Sequence, residues 1–273
     1  GKTHLAMVLA DWFLYNGGHV LSNIIINVRG EGSRWTDVEG TPPNYTKITT
    51  LAQFFLKLSE ILHENPEAKV MFEVDEAAVS LEAQSFQAFL ARSMVKFATL
   101  LRKFNTSLVL ISVRQTLVIR KMRDEEGLLD VHLAKDPFLM QRYAADLLRD
   151  RHEIRTIALV KWTEKSLDYV PVLVPRTARL ATPREDCEIG GLYFDTKGAA
   201  AFDPGKHPVT HEKFDFNDLV SVLGTAPSQM YPKLLYKFMH EDPRPMIQEA
   251  KLQRGGLLDE GPKSEDVEEE IKA

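Results

Sequence analysis

The stretch that decides the reading is GKTHLAMVLADWF, residues 1–13. Gly1-Lys2-Thr3 is the closing half of the pattern GxxxxGK[ST], in which a loop leaving a strand wraps backbone N–H groups around phosphates and then enters a helix. Leu5, Val8, Leu9, Trp12 and Phe13 recur at i, i+3, i+4, i+7 and i+8. That spacing predicts a helix running to a stop at Gly17-Gly18. Lys2 and Thr3 then sit in a helix's first turn, where the phosphate chemistry needs them. The first glycine of the pattern, the residues between and the strand before them are expected ahead of Gly1, in a longer protein than this chain.

Working outward, composition bounds the class. With 273 residues and 44% hydrophobic content the chain can bury a substantial core, as one large domain or a domain with appendages. Its apolar runs are short pieces such as SLVLISV (107–113), well under the roughly 18 residues of a membrane span. The single cysteine, Cys187, excludes an internal disulfide framework and a cysteine-rich zinc site, and suits a reducing compartment. A net charge of -5 argues against a protein that coats nucleic acid uniformly.

The charge is unevenly placed. Residues 92–123 contain Arg92, Lys96, Arg102, Lys103, Arg114, Arg120, Lys121 and Arg123 and no acid, whereas 259–273 carry seven acids against two lysines. The first block reads as an anion-facing surface or as a pair of exposed helix faces; the second reads as a solvated tail.

Along the chain, HVLSNIIINV (19–28) reads as one buried strand, Gly30–Thr50 as a long surface excursion, and 51–63 as a helix closed by Asn65-Pro66. KVMFEVDEA (69–77) is a short strand ending in two adjacent acids, and a helix over about 84–104 leads to the strand SLVLISV and then Arg114-Gln115. Strands alternating with helices argue for an α/β fold, a largely parallel sheet with helices on both faces. Further strands are expected in LLDVHLA, IRTIALVKW and DYVPVLVP, with one or two helices in 215–240 and a disordered acidic stretch from about 246.

Asp75-Glu76 is the second informative stretch. A carboxylate at the end of a buried strand can hold Mg2+, and one beside it can deprotonate the attacking water; the alternative is a plain helix cap. Gln115, past the next strand, can report the γ-phosphate or simply end a strand. Glu73 interrupts a strand that should be apolar throughout, so either it faces a polar neighbour near the nucleotide or the strand is less buried than expected. His207 and His211, with Pro208 between them, read as two surface histidines rather than metal ligands, and Trp12, Trp35 and Trp162 as core packing or loop anchors.

The order of GKT, helix, strand, helix, strand with Asp-Glu, basic helix and strand with Gln resembles the additional-strand P-loop ATPases. Within them it most resembles the FtsK/HerA group of DNA-pumping ATPases, including the zonula-occludens-toxin-like branch of viruses and plasmids. The stretches GGHVLSNI, LLRKFNTSLVLISVRQ and GGLYFDTKGAAAF add to the likeness, which covers about 1–200. The resemblance implies a core over 1–200, a helical extension over 201–245 and an acidic disordered tail over 246–273. It implies ATP and Mg2+ as cofactors, with Gly1, Lys2, Thr3 and His4 binding nucleotide, Lys2 on the β/γ-phosphates, and Thr3 and Asp75 on Mg2+. Glu76 would be the base, Gln115 the sensor, and Arg102 a finger acting on a neighbour's nucleotide.

The implied protein is a cytoplasmic ATPase that moves or packages DNA as a homo-oligomeric ring, such as a hexamer, with Arg120, Lys121 and Arg123 as DNA contacts. Unlike the toxin-like branch, this chain shows no membrane segment. The rivals are an ATPase that remodels or secretes protein, and a nucleotide-dependent switch without motor action.

Overall fold

A computed structural model describes residues 2–28, 41–75, 96–97, 99–111, 130–134, 154–161, 170–175, 186–189, 192–195 and 203–259. The chain begins with helix α1 (Lys2–Tyr15). It stops where the sequence said it would: Gly17 takes φ +77°, and Gly18 N donates to Phe13 O at 3.0 Å. A positive φ costs glycine little, and the returning N–H caps the last turn. A side chain at Gly18 would collide with the Phe13 ring, whose carbons lie 2.4 Å from the position of its Cβ.

Next come β1 (His19–Ser22), β2 (Ile25–Val28), β3 (Tyr45–Lys47), helix α2 (Leu51–Glu64), β4 (Val70–Val74) and β5 (Thr106–Leu110). Strands β3, β1, β4 and β5 form, in that order, a four-stranded sheet that is parallel throughout. In β4, with a neighbour on each edge, all five residues are buried, as the middle of a covered parallel sheet requires.

Alternation divides the sheet's side chains between two covering layers. Leu21, Val70, Phe72 and Val74 pack with α2, while Val20, Met71 and Ile111 pack with Ala6, Met7, Ala10 and Leu14 of α1. The expected parallel sheet with helices on both faces is therefore present.

Three expectations change. HVLSNIIINV is not one strand: it breaks after Ser22, and β2 joins a second sheet of order β2-β10-β9 with β9 (Asp186–Ile189) and β10 (Leu192–Asp195), antiparallel throughout. The strands β6 (Asp130–Ala134), β7 (Ile154–Lys161) and β8 (Val170–Pro175), all expected, make a third, antiparallel sheet. "Largely parallel" thus holds for the four-stranded sheet only. Finally, the excursion before α2 contains β3, which pairs with β1 in parallel.

The α1 face predicted from Leu5, Val8, Leu9, Trp12 and Phe13 is mostly not the one against the sheet. Leu9, Trp12 and Tyr15 are 40%, 61% and 63% exposed, and the residues packed inward are small or flexible. Trp12 is accordingly no core residue.

Residues 203–259 add α3 (Phe216–Leu223), α4 (Tyr231–His240) and α5 (Arg244–Asp259). They pack on the α2 side: Phe214, Phe216, Leu219, Leu235 and Phe238 join the same buried cluster as Phe54, Phe55 and Phe72. Phe55 stacks on both Phe214 and Phe216 at 5.7 Å between centroids. Asp203 O and Pro204 O accept from Leu51 N and Ala52 N, and Thr50 Oγ1 accepts from Gln53 N, so this segment helps cap α2. The region expected to be disordered from about 246 begins instead as α5, because Met246, Ile247 and Ala250 have a core to pack against. Residues 260–273 lie outside the described ones.

His207 corrects the surface reading. It is buried, with Nε2 2.7 Å from Phe238 O, and Nδ1 accepts from Val209 N and Thr210 N at 3.3 and 3.4 Å. Those partners require a neutral ring with the proton on Nε2. His211 is exposed.

Burial holds the His207 pKa below its ordinary 6.5, against smaller opposing contributions from the Phe238 carbonyl, Asp242 and Glu212. The native state then binds fewer protons than the unfolded chain, so this contribution is complete above the ordinary value and is lost as pH falls through it toward the lowered one. Replacing His207 by Ala leaves the Phe238 carbonyl without its donor and is expected to cost about 1–3 kcal/mol at pH 7. In denaturant titrations the gap between the parental chain and H207A should narrow from pH 7 to pH 5; a gap independent of pH would contradict the neutral-ring geometry.

Candidate functional site

All strands of a parallel sheet end at the same edge, and that edge, with the helix N-termini beside it, is where such sheets bind ligands. Here it carries Thr3 in the first turn of α1 and Asp75, the residue after β4. Thr3 Oγ1 donates to Asp75 Oδ2 at 3.0 Å, across 72 positions of sequence. Asp75 is 5% exposed and Thr3 half-buried, so this bond is sheltered at the rim of the sheet.

Asn23 completes the arrangement, and the sequence analysis assigned it no role. Its Oδ1 accepts from Asp75 N at 2.8 Å, and its Nδ2 donates to Asp75 O at 3.1 Å. Val74 faces β5, since Ile111 N donates to Val74 O, so the alternation of a parallel strand turns the N–H and C=O of Asp75 toward β1. By then β1 has ended. The Asn23 carboxamide supplies the donor and acceptor that a further peptide of β1 would have given. Ser22 helps turn the chain there: its hydroxyl accepts from Ile24 N at 3.2 Å. The signal legible in sequence was Asn23 beside Ser22 within a mostly aliphatic run, where a buried amide needs partners.

Glu73 lies on the α1 face of β4, opposite Ser22 in β1 and Val109 in β5 and two residues before Asp75. It is completely buried, and among the described residues neither carboxyl oxygen has a hydrogen-bond partner. Of the two explanations for its place in an apolar strand, lesser burial is excluded. Loss of water pushes its pKa up to about 8, the charge of Asp75 adds to this, and the nearby Ser22 hydroxyl works in the opposite direction. Burial thus favours the protonated, neutral form of Glu73. Tyr45, from β3, turns its hydroxyl to the Ile24 carbonyl; burial and the Glu73 charge raise its pKa.

The other expected site residues divide. Arg102 is exposed at the end of the helical residues 99–103, ahead of β5, and makes no ion pair among the described residues. It stands at the opposite edge of the sheet from Asp75, because Thr106 pairs with Val70 and Leu110 with Val74. A five-residue strand separates those edges by roughly 16 Å. Lys103 Nζ donates to Tyr231 Oη at 3.3 Å and lies 5.0 Å from that ring's centroid. Lys2 and His4 belong to α1, but nothing is described of their side chains; Gly1, Glu76, Gln115, Arg120, Lys121 and Arg123 lie outside the described residues, as do Trp35 and Trp162. Among the described residues no group of three or more His, Cys, Asp or Glu gathers around a metal position, and no helix is long and apolar enough to cross a membrane. No family model, curated protein or solved structure matches the chain.

Glu73 generates a pH prediction of opposite sign to that of His207. Its native pKa lies above the unfolded one, so the contribution is complete below about 4.5 and is lost as pH rises toward about 8. In metal-free buffer Glu73→Gln, which cannot ionise, should gain on the parental chain in unfolding free energy steadily from pH 4.5 to pH 8. A constant difference over that range would mean that Glu73 is ionised and paired in the native state.

Proposed function

We propose that this chain is the body of a P-loop ATPase of the additional-strand class, working as a ring that moves DNA. The observation that carries the reading is the Thr3–Asp75 hydrogen bond. A hydroxyl in the first turn of a GKT helix meets the carboxylate of an Asp-Glu pair at the C-terminal edge of a parallel sheet. The α/β architecture and the position of α1 against that sheet support it.

The donor set fits Mg2+. A hydroxyl and a carboxylate side by side are hard oxygen ligands, and a site with few protein ligands leaves room for water and phosphate oxygens. Bound there, Mg2+ would neutralise charge on the β- and γ-phosphates. The chain's own groups do the rest. The N–H groups that open α1 face the phosphates, and the Lys2 ammonium adds a point charge opposite the β/γ oxygens. The Asp75 carboxylate and Thr3 hydroxyl hold the metal. Glu76 accepts the proton of the attacking water, and Gln115 orients that water or senses the γ-phosphate. The edge of β5 left open among the described residues, where Leu108, Val109 and Leu110 are only half-buried, suits a further parallel strand.

Arg102 stands too far from Asp75 to serve its own subunit's phosphates, which is compatible with a role across a subunit interface only. Lys103, engaged with Tyr231, is better read as a tie to α4 than as a phosphate ligand.

Two experiments test the reading, both on the full-length protein. Glu76→Gln should cut ATP turnover at least about a hundredfold while ATP stays bound, since general-base catalysis is worth roughly 10²–10⁴; Lys2→Ala should instead weaken ATP binding in calorimetry. Parental turnover in Glu76→Gln would remove the base assignment. For the partner, changing Arg120, Lys121 and Arg123 together to Ala should lower stimulation by DNA and flatten its salt dependence without touching basal turnover, because each neutralised phosphate releases counterions. Full stimulation with the parental salt slope would leave an ATPase that acts on something other than DNA.

A further inference from the structure

We propose that Asn23 is a positioning residue for the reaction, holding the Asp75 carboxylate and the Asp75–Glu76 peptide in their working orientation through the backbone of Asp75. This rests on the ATPase reading above and names a residue that the reading does not contain. The carboxamide grips both polar groups of Asp75, N–H and C=O, at 2.8 and 3.1 Å. The gripped carbonyl belongs to the peptide bond that links Asp75 to Glu76. The gripped N–H belongs to the preceding peptide, Val74–Asp75, so one rigid planar group ties two successive peptide units and sets the backbone torsions of Asp75, and with them the direction in which its side chain leaves the backbone.

The grip comes at the one place where the sheet itself cannot supply it. β4 is held along its length by β1 and β5, but β1 stops at Ser22, and its chain departs as β2 into another sheet. Asn23 meets the two backbone groups that Asp75 turns toward β1, beyond the last residue of that strand. The Thr3 bond acts on the carboxylate alone, so it cannot replace a hold on the peptide. Asn23 is itself completely buried, which limits its rotamers and makes the hold stiff. A purely structural Asn would satisfy those two groups with no effect on chemistry beyond stability; a positioning Asn alters turnover and metal affinity in protein that is still folded.

The test compares Asn23→Ala and Asn23→Asp with Leu219→Ala, a completely buried residue of α3 far along the chain, all in the full-length protein and at a temperature below each variant's unfolding midpoint. Asn23→Asp keeps an acceptor for Asp75 N–H and loses the donor to Asp75 C=O, so it remains informative if the alanine variant does not fold. Three quantities are read: kcat for ATP, the Kd of ATP without divalent metal, and Mn2+ affinity in the presence of a non-hydrolysable ATP analogue by electron paramagnetic resonance. The Asn23 variants should lose about 10–100-fold in kcat and weaken Mn2+ binding, the range found when groups that orient a metal ligand are removed, with the metal-free ATP Kd unchanged. L219A should keep parental kcat and Mn2+ affinity. If the parental protein turns over ATP and the Asn23 variants match it in kcat and Mn2+ affinity, or if L219A loses as much, the positioning role is wrong while the ATPase stands. If the parental protein has no turnover, both fall together.

Discussion

The enclosure of β4 is the constraint on which the rest of this structure depends. A strand with neighbours on both edges and helices over both faces has no access to water, so each polar group it carries must be answered from within or be neutral. Backbone pairing with β1 and β5 answers the main chain. At Asp75, where the strand reaches the rim, the answers come from side chains: Thr3 to the carboxylate and Asn23 to the peptide. The chemistry proposed for this edge uses the same groups that let the strand end there at all.

Glu73 is the exception that locates the strain. A carboxyl with no partner at complete burial costs stability unless it keeps its proton, and a methylene side chain would have packed there without that cost. Its placement on the α1 face, two residues from Asp75, puts the least favourable group of the strand directly beneath the site. Sequence reasoning left two accounts of Glu73 open; burial removes one of them, and the other, a polar setting near the site, is met among the described residues by Ser22, Tyr45 and Asp75.

Much of the architecture was legible because its signals are local. The end of α1 at Gly17-Gly18, α2 with its Asn65-Pro66 stop, the strands in VMFEV and SLVLISV and the three strands of the third sheet all follow from period, propensity and turn residues. What failed did so for non-local reasons. HVLSNIIINV is mostly aliphatic on both sides of Ser22-Asn23, so nothing in its period reveals that it changes sheets there. β3 is three residues after Pro42-Pro43, too short for a pattern, and exists because β1 offers an edge. α1 is apolar on two sides, so a 3.6-residue repeat identifies the helix and not the side that faces in. Ala6 and Ala10 go inward because small residues bring a helix close to a sheet, while Trp12 does not fit in that gap. Asn23 has no motif at all; its partner is 52 positions away and is the main chain of another strand.

The sheet's polarity also decides what a single subunit can do. Parallel strands put all their C-terminal ends on one side, so the helix preceding β5 must finish on the other, and Arg102 with it. No loop rearrangement within the subunit reverses this, because β4 and β5 are paired along their whole length. Lys103 strengthens the separation by fastening the end of that helix to Tyr231 of α4, which is itself fixed in the cluster shared by α2 and β4. An arginine that is exposed and carried at the far edge of a braced sheet is displaced from its own subunit's Asp75 by the thickness of that sheet, and reaches a second copy's site only if two copies stack edge to edge. Any part Arg102 plays in phosphate chemistry thus requires a second copy of the chain, whatever the reaction serves.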